Sequence, residues 1–123
     1  MDIVLSSTSG KPIYQQLFEQ IAAQIIKGQL ERGDSLPPIR TVAKELQISV
    51  IPVKQAWEEL ERKGFIDTMA GKGCYVAQFL PGELETKREE LAVERLRKDI
   101  AYYKGLGLSL SELIELFQKL YDS

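Results

Sequence analysis

Arg40, Lys44, Lys54, Gln55 and Lys72 are the side chains whose chemistry is easiest to assign. Guanidinium and ammonium groups donate to phosphate oxygens, and a glutamine amide can pair with the edge of an adenine. Thr41 and Ser49 add hydroxyls nearby, while Val50 and Ile51 add branched apolar groups that suit a thymine methyl. Gly71 and Gly73 bracket Lys72. Glycines there let the backbone come close to a phosphate or a minor groove. The set fits double-stranded DNA.

The same inventory weighs against catalysis. Histidine is absent and Cys74 is the one cysteine. That removes the Ser-His-Asp and Cys-His arrangements, histidine general bases and the usual zinc sites. Carboxylate-only or Lys/Tyr chemistry stays open in principle. The run "GKGC" lacks both the spacing and the following helix of a phosphate loop. The expectation is a protein that is no enzyme and takes no cofactor or metal. A single cysteine excludes an internal disulfide and suits a reducing cytoplasm. No apolar run nears the roughly 20 residues of a membrane span. The opening "MDIVLSSTSG" lacks a basic stretch followed by an apolar one, so neither membrane nor export is expected.

Total charge points the other way, because 16 Lys and Arg against 18 Asp and Glu give 123 residues a net −2. Nucleic-acid binding depends on the local field rather than the total. Residues 11–78 hold nine basic and eight acidic side chains, and residues 79–123 hold seven and nine. Between Asp34 and Glu58 the one acid is Glu45, against Arg40, Lys44 and Lys54. From Thr68 to Gly82 the one charge is Lys72.

The elements that must position these residues follow from periodicity. Pro12 suits the first turn of a helix, and Ile13, Leu17, Ile21 and Ile25 recur every four residues, widened by Phe18, Ala22 and Ile26. Gly28 stops it. "GQLERGDSL" is a loop with room for one very short strand. A second helix runs from about Pro38 to Leu46, with Ile39, Val42, Ala43 and Leu46 inward. After "QIS" a third runs from Val50 to about Lys63, with Val53, Ala56, Trp57 and Leu60 inward. Gly64 ends it, and "FIDTM" and "CYVAQF" form a hairpin around the tip Ala70-Gly71-Lys72-Gly73. Trp57 belongs to the core by its spacing from Val53, and Cys74 reads as a small buried apolar residue rather than a redox sensor.

Three helices and a hairpin are the element order of a winged helix-turn-helix. In such a pair the second helix enters the major groove and offers its early residues to base edges. Those are Ser49, Val50, Ile51, Lys54 and Gln55. Contact with thymine methyls would account for Val50 and Ile51; core packing is the competing reading, more for Ile51 than for Val50. Arg40 in the preceding helix points toward the same groove.

Pro81-Gly82 marks a boundary, giving a DNA-binding domain at 1–80 and a helical segment at 81–123. Leu84, Leu91, Ala92, Leu96, Ile100 and Tyr103 offer an apolar stripe, and the helix breaks at Gly105 and Gly107. Of the adjacent Tyr102 and Tyr103 one faces the stripe and the other its rim. Ser109 and Glu112 form a capping box for a last helix bearing Leu110, Leu113, Ile114, Phe117, Leu120 and Tyr121 on one face. Two such helices cannot bury both stripes alone. A second copy solves this, with Leu91, Leu96, Ile100, Tyr103, Leu110, Leu113, Ile114, Phe117 and Leu120 between the copies. The fold class is thus α+β, mostly helical: a winged domain followed by a two-helix dimerisation tail.

From Pro12 to Ala77 the chain resembles the winged-helix domain of the GntR regulators. The shared marks are Pro12-Ile13-Tyr14 with Gln16, the stretch Leu36 to Ala43, the stretch Ala56 to Glu61, and Gly71-Lys72-Gly73. The short tail resembles the YtrA-type subfamily. The resemblance implies a dimeric repressor, often encoded beside ABC-transporter genes, with DNA contacts at Arg40, the start of the third helix and the wing. Two prolines depart from the pattern. Pro38 replaces a serine whose hydroxyl and N–H could meet phosphate. Pro52 replaces a threonine and disfavours α geometry at Ile51, pulling the expected helix onset toward Pro52 and away from a Ser49 cap. The competing function is a protein-interaction module that uses the winged fold as scaffold, and a small-molecule effector between the tail helices is a possible refinement.

Overall fold

Apolar residues every fourth position wind Ile13–Ile26 into helix α1, whose Leu17, Ile21 and Ile25 are sealed from solvent. A computed structural model describes residues 1–123 and divides them into two compact units, Met1–Leu84 and Glu85–Ser123. Pro12 is the cap of α1 rather than its first residue. Its carbonyl accepts the amides of Gln15 and Gln16, both at 3.1 Å. At the far end Gly28 takes φ +78°, so that Gln29 N–H reaches the Gln24 carbonyl at 2.8 Å and Gly28 N–H that of Ile25 at 3.1 Å. This left-handed turn is the stop a glycine permits.

Helices α2 (Ile39–Leu46) and α3 (Val50–Arg62) follow, and α3 packs on α1, on α2 and on strand β1 (Ile66–Met69). Its Val53, Ala56, Trp57 and Leu60 are buried, as are the apolar face of α1 and Phe65, Ile66 and Val76. Trp57 is 4% exposed, a core residue as its spacing predicts. Phe18 and Phe65 meet edge to face at 6.2 Å. Burying each large side chain contributes about 1.5–3 kcal/mol.

The wing is β1 paired antiparallel with β2 (Gly73–Val76), in register Ile66 to Val76 and Met69 to Gly73. The short strand allowed for in the loop exists as one bridge, Ser35 to Tyr75. It is flanked by Gly33 N–H to Val76 O at 2.9 Å and Leu36 N–H to Cys74 O at 2.8 Å.

The extended N-terminal segment is held by a row of glutamines that apolar periodicity does not mark. Gln16, Gln20 and Gln24 stand four apart on α1 and bind that segment with their amides. Gln20 both accepts from Val4 N–H at 2.9 Å and donates to Val4 O at 2.7 Å, as a neighbouring strand would. Gln24 donates to Asp2 O. Gln16 accepts from Ser6 N–H and donates to Ser6 O, Ser9 Oγ and Lys11 O.

The second unit consists of α4 (Glu83–Gly105) from its third residue onward and α5 (Leu110–Tyr121). Neither helix contains a buried residue. The expected α4 stripe is divided. Leu84 and Leu91, seven apart, are half-buried, whereas Leu96 and Ile100 are exposed together with Val93, which lies outside the expected stripe. Leu91 and Leu96 are five apart, so they lie about 140° around the helix from each other. Tyr103 is half-buried and Tyr102 exposed, with rings 5.4 Å apart. Gly105 stays helical; the break belongs to Gly107, whose φ of +82° lets Leu108 N–H reach Tyr103 O at 3.2 Å. The capping box is present: Glu112 N–H donates to Ser109 Oγ at 3.2 Å, and Ser109 N–H to Glu112 Oε1 at 2.9 Å.

Candidate nucleic-acid interface

The turn between α2 and α3 sets the geometry of the helix pair. Gln47 adopts φ +57°, the one non-glycine residue of the chain with positive φ. Ile48 N–H returns to Ala43 O at 2.9 Å and Gln47 N–H to Lys44 O at 3.2 Å, which closes α2 and reverses the chain. Ser49 then caps α3 by accepting the Ile51 amide at 3.1 Å. The expected shift of helix onset toward Pro52 does not occur. Pro52 is the third helical residue, where its missing N–H is one that a helix start leaves without an internal partner anyway. A capping serine accepts from the second or third helical amide. With proline at the third, the second takes the bond.

Burial decides what each helix turns outward. On α3 the inward residues are Val53, Ala56, Trp57 and Leu60; Val50, Ile51, Lys54 and Gln55 are exposed. At 45% and 65% exposure, neither Val50 nor Ile51 belongs to the core. On α2 Val42 and Ala43 face inward, while Arg40, Thr41 and Lys44 are exposed. Pro38 caps α2 without a side-chain hydrogen bond, so no hydroxyl covers the first amides there.

At the wing tip Lys72 N–H closes a turn onto Met69 O at 2.9 Å, with Gly71 at φ +73° and Gly73 at φ +95°. A Cβ at either glycine would meet nothing within 4 Å. The need for glycine is therefore conformational, not steric. Tyr75 donates its hydroxyl to the Lys72 carbonyl at 2.9 Å, a support for the tip that strand patterning alone does not suggest. Cys74 is half-buried rather than fully so, with Sγ 3.4 Å from Thr68 Oγ1.

Ion pairing separates two classes of cation in the first unit. Lys11 binds Glu19 at 2.8 Å, and Arg62 and Lys63 share Glu59. Arg40, Lys44, Lys54 and Lys72 form no ion pair and are all exposed, as are Lys27 and Arg32. Cations without carboxylate partners retain their charge for an outside anion. No group of three or more Asp, Glu or Cys side chains is gathered to hold a metal ion. No helix is long and apolar enough to cross a membrane.

Comparison with known proteins agrees with this arrangement. Residues 13–76 match the model of the bacterial regulatory proteins, gntR family. The chain is 32% identical over 108 residues to the HTH-type transcriptional repressor YtrA of Bacillus subtilis, covering 86% of this chain and 83% of that one. Among solved structures, a transcriptional antiterminator from Listeria monocytogenes superposes with TM-score 0.75 at 28% identity, over 100% of this chain and 91% of that one. The DNA-binding domain of AraR, solved in complex with operator ORR3, shares the fold with TM-score 0.53 at 23% identity, over 63% of this chain and 93% of that one. These relationships set aside the reading of a winged protein-interaction module. The chain belongs to the gntR family of bacterial regulatory proteins, and it is a DNA-binding regulator of transcription.

Proposed function

We propose that the protein is a homodimeric repressor that reads a pseudo-palindromic operator in double-stranded DNA. The observation that carries this reading is the pairing of a serine-capped α3, which offers exposed Val50, Ile51, Lys54 and Gln55, with four cations that no carboxylate neutralises. In this reading Val50 and Ile51 touch thymine methyls, and Gln55 or Lys54 reads a base edge. Arg40 and Thr41 in the first turn of α2, Lys44 in its last turn and Ser49 at the start of α3 bind phosphate. Gly71, Lys72 and Gly73 bring the wing backbone and one charge to the adjacent backbone or minor groove. The fold likeness to AraR, which was solved on an operator, supports the mode of docking.

Dimerisation would cover a tail in which no side chain is fully buried. Residues 1–80 act as the DNA-binding part and 81–123 as the dimerisation part. Leu96, Ile100 and Tyr103 of α4 and Leu110, Leu113, Ile114, Phe117 and Leu120 of α5 are buried between copies. Leu91, Tyr103 and Leu113, half-buried already in one chain, contribute less. A dimer axis fixes two half-sites about 10 base pairs apart, or a multiple of that. The protein works by binding and not by turnover, in the cytoplasm, where one free cysteine is kept reduced.

Selection of bound fragments from random DNA, followed by sequencing, would yield the half-site and its spacing. A fluorescence anisotropy titration on that sequence checks the rest. Failure to hold any DNA at about 50 mM salt would sink the proposal, since non-specific binders hold it there.

A further inference from the structure

We infer that α4 pairs with α4 of a second copy in antiparallel orientation, and that a charge gradient along the helix sets this direction. The inference rests on the homodimer reading and adds to it the sense of pairing. Along α4 the exposed Val93, Leu96 and Ile100 are spaced three and four apart, at 38%, 47% and 41% exposure. Thr86 and Glu89 precede them and Tyr103 follows in the same rhythm. That spacing is the seam of a helix pair. A shallow groove lined by Thr86, Glu89, Glu90, Val93, Glu94 and Arg97 runs along it.

The charges around the seam are sorted by position. From Glu83 to Glu94 there are five carboxylates against Lys87 and Arg88; from Arg95 to Gly105 there are four bases against Asp99. Arg95 and Asp99 pair with each other at 3.2 Å, which leaves Arg97, Lys98 and Lys104 to mark that half as basic. Glu90, Arg97 and Lys104 stand seven apart on one flank of the seam, where interhelical charges meet. Glu89 lies in the seam itself. A parallel copy would set Glu89 against Glu89 and acidic half against acidic half. An antiparallel copy sets each acidic half against the partner's basic half. The helix dipole favours acids at the start and bases at the end, but its effect fades within one turn. Glu89 and Glu90 lie beyond that turn, as do Arg97 and Lys98, and a facing antiparallel helix gives their sorting a use that the dipole does not.

The test exchanges the polarity. A variant carrying E85K, E89K, E90K, R97E, K98E and K104E reverses the gradient and leaves the apolar seam intact. Mixed with the unaltered chain, refolded together and weighed by native mass spectrometry, it should give two homodimers. The mixed dimer should fall about tenfold below its statistical half at low salt and recover in about 1 M salt, where screening is nearly complete. A mixed dimer at or above the statistical half overturns the antiparallel assignment while leaving the dimer intact. An unaltered chain that stays monomeric at tens of micromolar overturns the homodimer reading itself. Should the variant lose its helical circular dichroism, spin labels in a C74S background decide. Labels on E85C or on K104C should each lie far apart across the dimer, approaching the roughly 34 Å length of a 23-residue helix. Two short distances overturn the inference.

Discussion

The Tyr75 hydroxyl donates a 2.9 Å hydrogen bond to the carbonyl of Lys72, fastening the second wing strand to the tip that carries the wing's one cation. The tip is otherwise a glycine turn closed by a single backbone bond from Lys72 to Met69. Tyr75→Phe removes one neutral hydrogen bond, an exposed one, and should lower stability by about 0.5–1.5 kcal/mol or less. DNA affinity should drop several-fold as the tip loosens, and urea denaturation beside anisotropy titration separates the two effects. Unchanged affinity would mean that the wing does not need this fastening.

Arg40 and Lys72 stand on different elements and neither has a carboxylate partner. Arg40→Ala and Lys72→Ala should each weaken operator binding. Each should also reduce the slope of log affinity against log salt, by about one unit for every phosphate left without its cation. A steep slope in both variants, equal to that of the unaltered chain, would remove these residues from the interface.

Gln47 holds a left-handed conformation at the turn between the two DNA-facing helices. A side chain there costs roughly 1 kcal/mol, which glycine avoids while losing some of the gain to its freer unfolded state. Gln47→Gly should therefore raise the urea midpoint, with a net stabilisation of about 0.5 kcal/mol. A lower midpoint would show that the Gln47 side chain has a structural partner of its own in solution.

Gln16 is 7% exposed and satisfies both its amide oxygen and nitrogen on the N-terminal segment and its following turn. Gln16→Ala leaves those backbone groups to find water and should cost about 1–3 kcal/mol. The exposed Gln20→Ala should cost less. Hydrogen exchange gives the local readout: the Ser6 amide should lose protection in the first variant and the Val4 amide in the second.

Glu112 carries the tail's clearest pH dependence. Its carboxylate accepts the Ser109 backbone amide and, more weakly, a hydrogen bond from the Ser109 side chain, so its pKa lies below the ordinary carboxylate value. A depressed folded-state pKa means that the stabilisation is present above the unfolded value, near 4.5, and is lost as pH falls through the lower, folded one. Helical content of α5 should fall over that acid range, and Glu112→Gln should make the decline shallower. Circular dichroism against pH provides the check.

Much of the fold is legible in residue order. The four-residue rhythm of Ile13, Leu17, Ile21 and Ile25 predicts α1, and the inward faces of α2 and α3 follow from the same reasoning. Gly71 and Gly73 mark the hairpin, and Ser109 and Glu112 mark the capping box. These are local devices, in which residues within one or two turns settle the backbone. Where expectation and structure part, the causes are local as well. Proline disfavours α geometry in the residue before it, but as a bias and not a bar: Ile51 is helical, and in the first turn the missing N–H of Pro52 leaves no internal bond unmade. Gly105 has the composition of a breaker, but one glycine in a last turn stays helical when Gly107 supplies the left-handed exit.

Sequence alone determined the element order, the family and the inward faces, because periodicity and capping are encoded over short spans. Tertiary structure decided three further matters. It turned Val50 and Ile51 outward while Val53, Ala56, Trp57 and Leu60 entered the core. It tied the N-terminal segment to Gln16, Gln20 and Gln24, a pairing between residues 10 to 22 apart in sequence. It also left the α4 stripe unevenly covered, with Leu84 and Leu91 half-buried and Leu96 and Ile100 exposed. Neighbours distant in sequence leave no period in the chain, and only the folded arrangement brings them together.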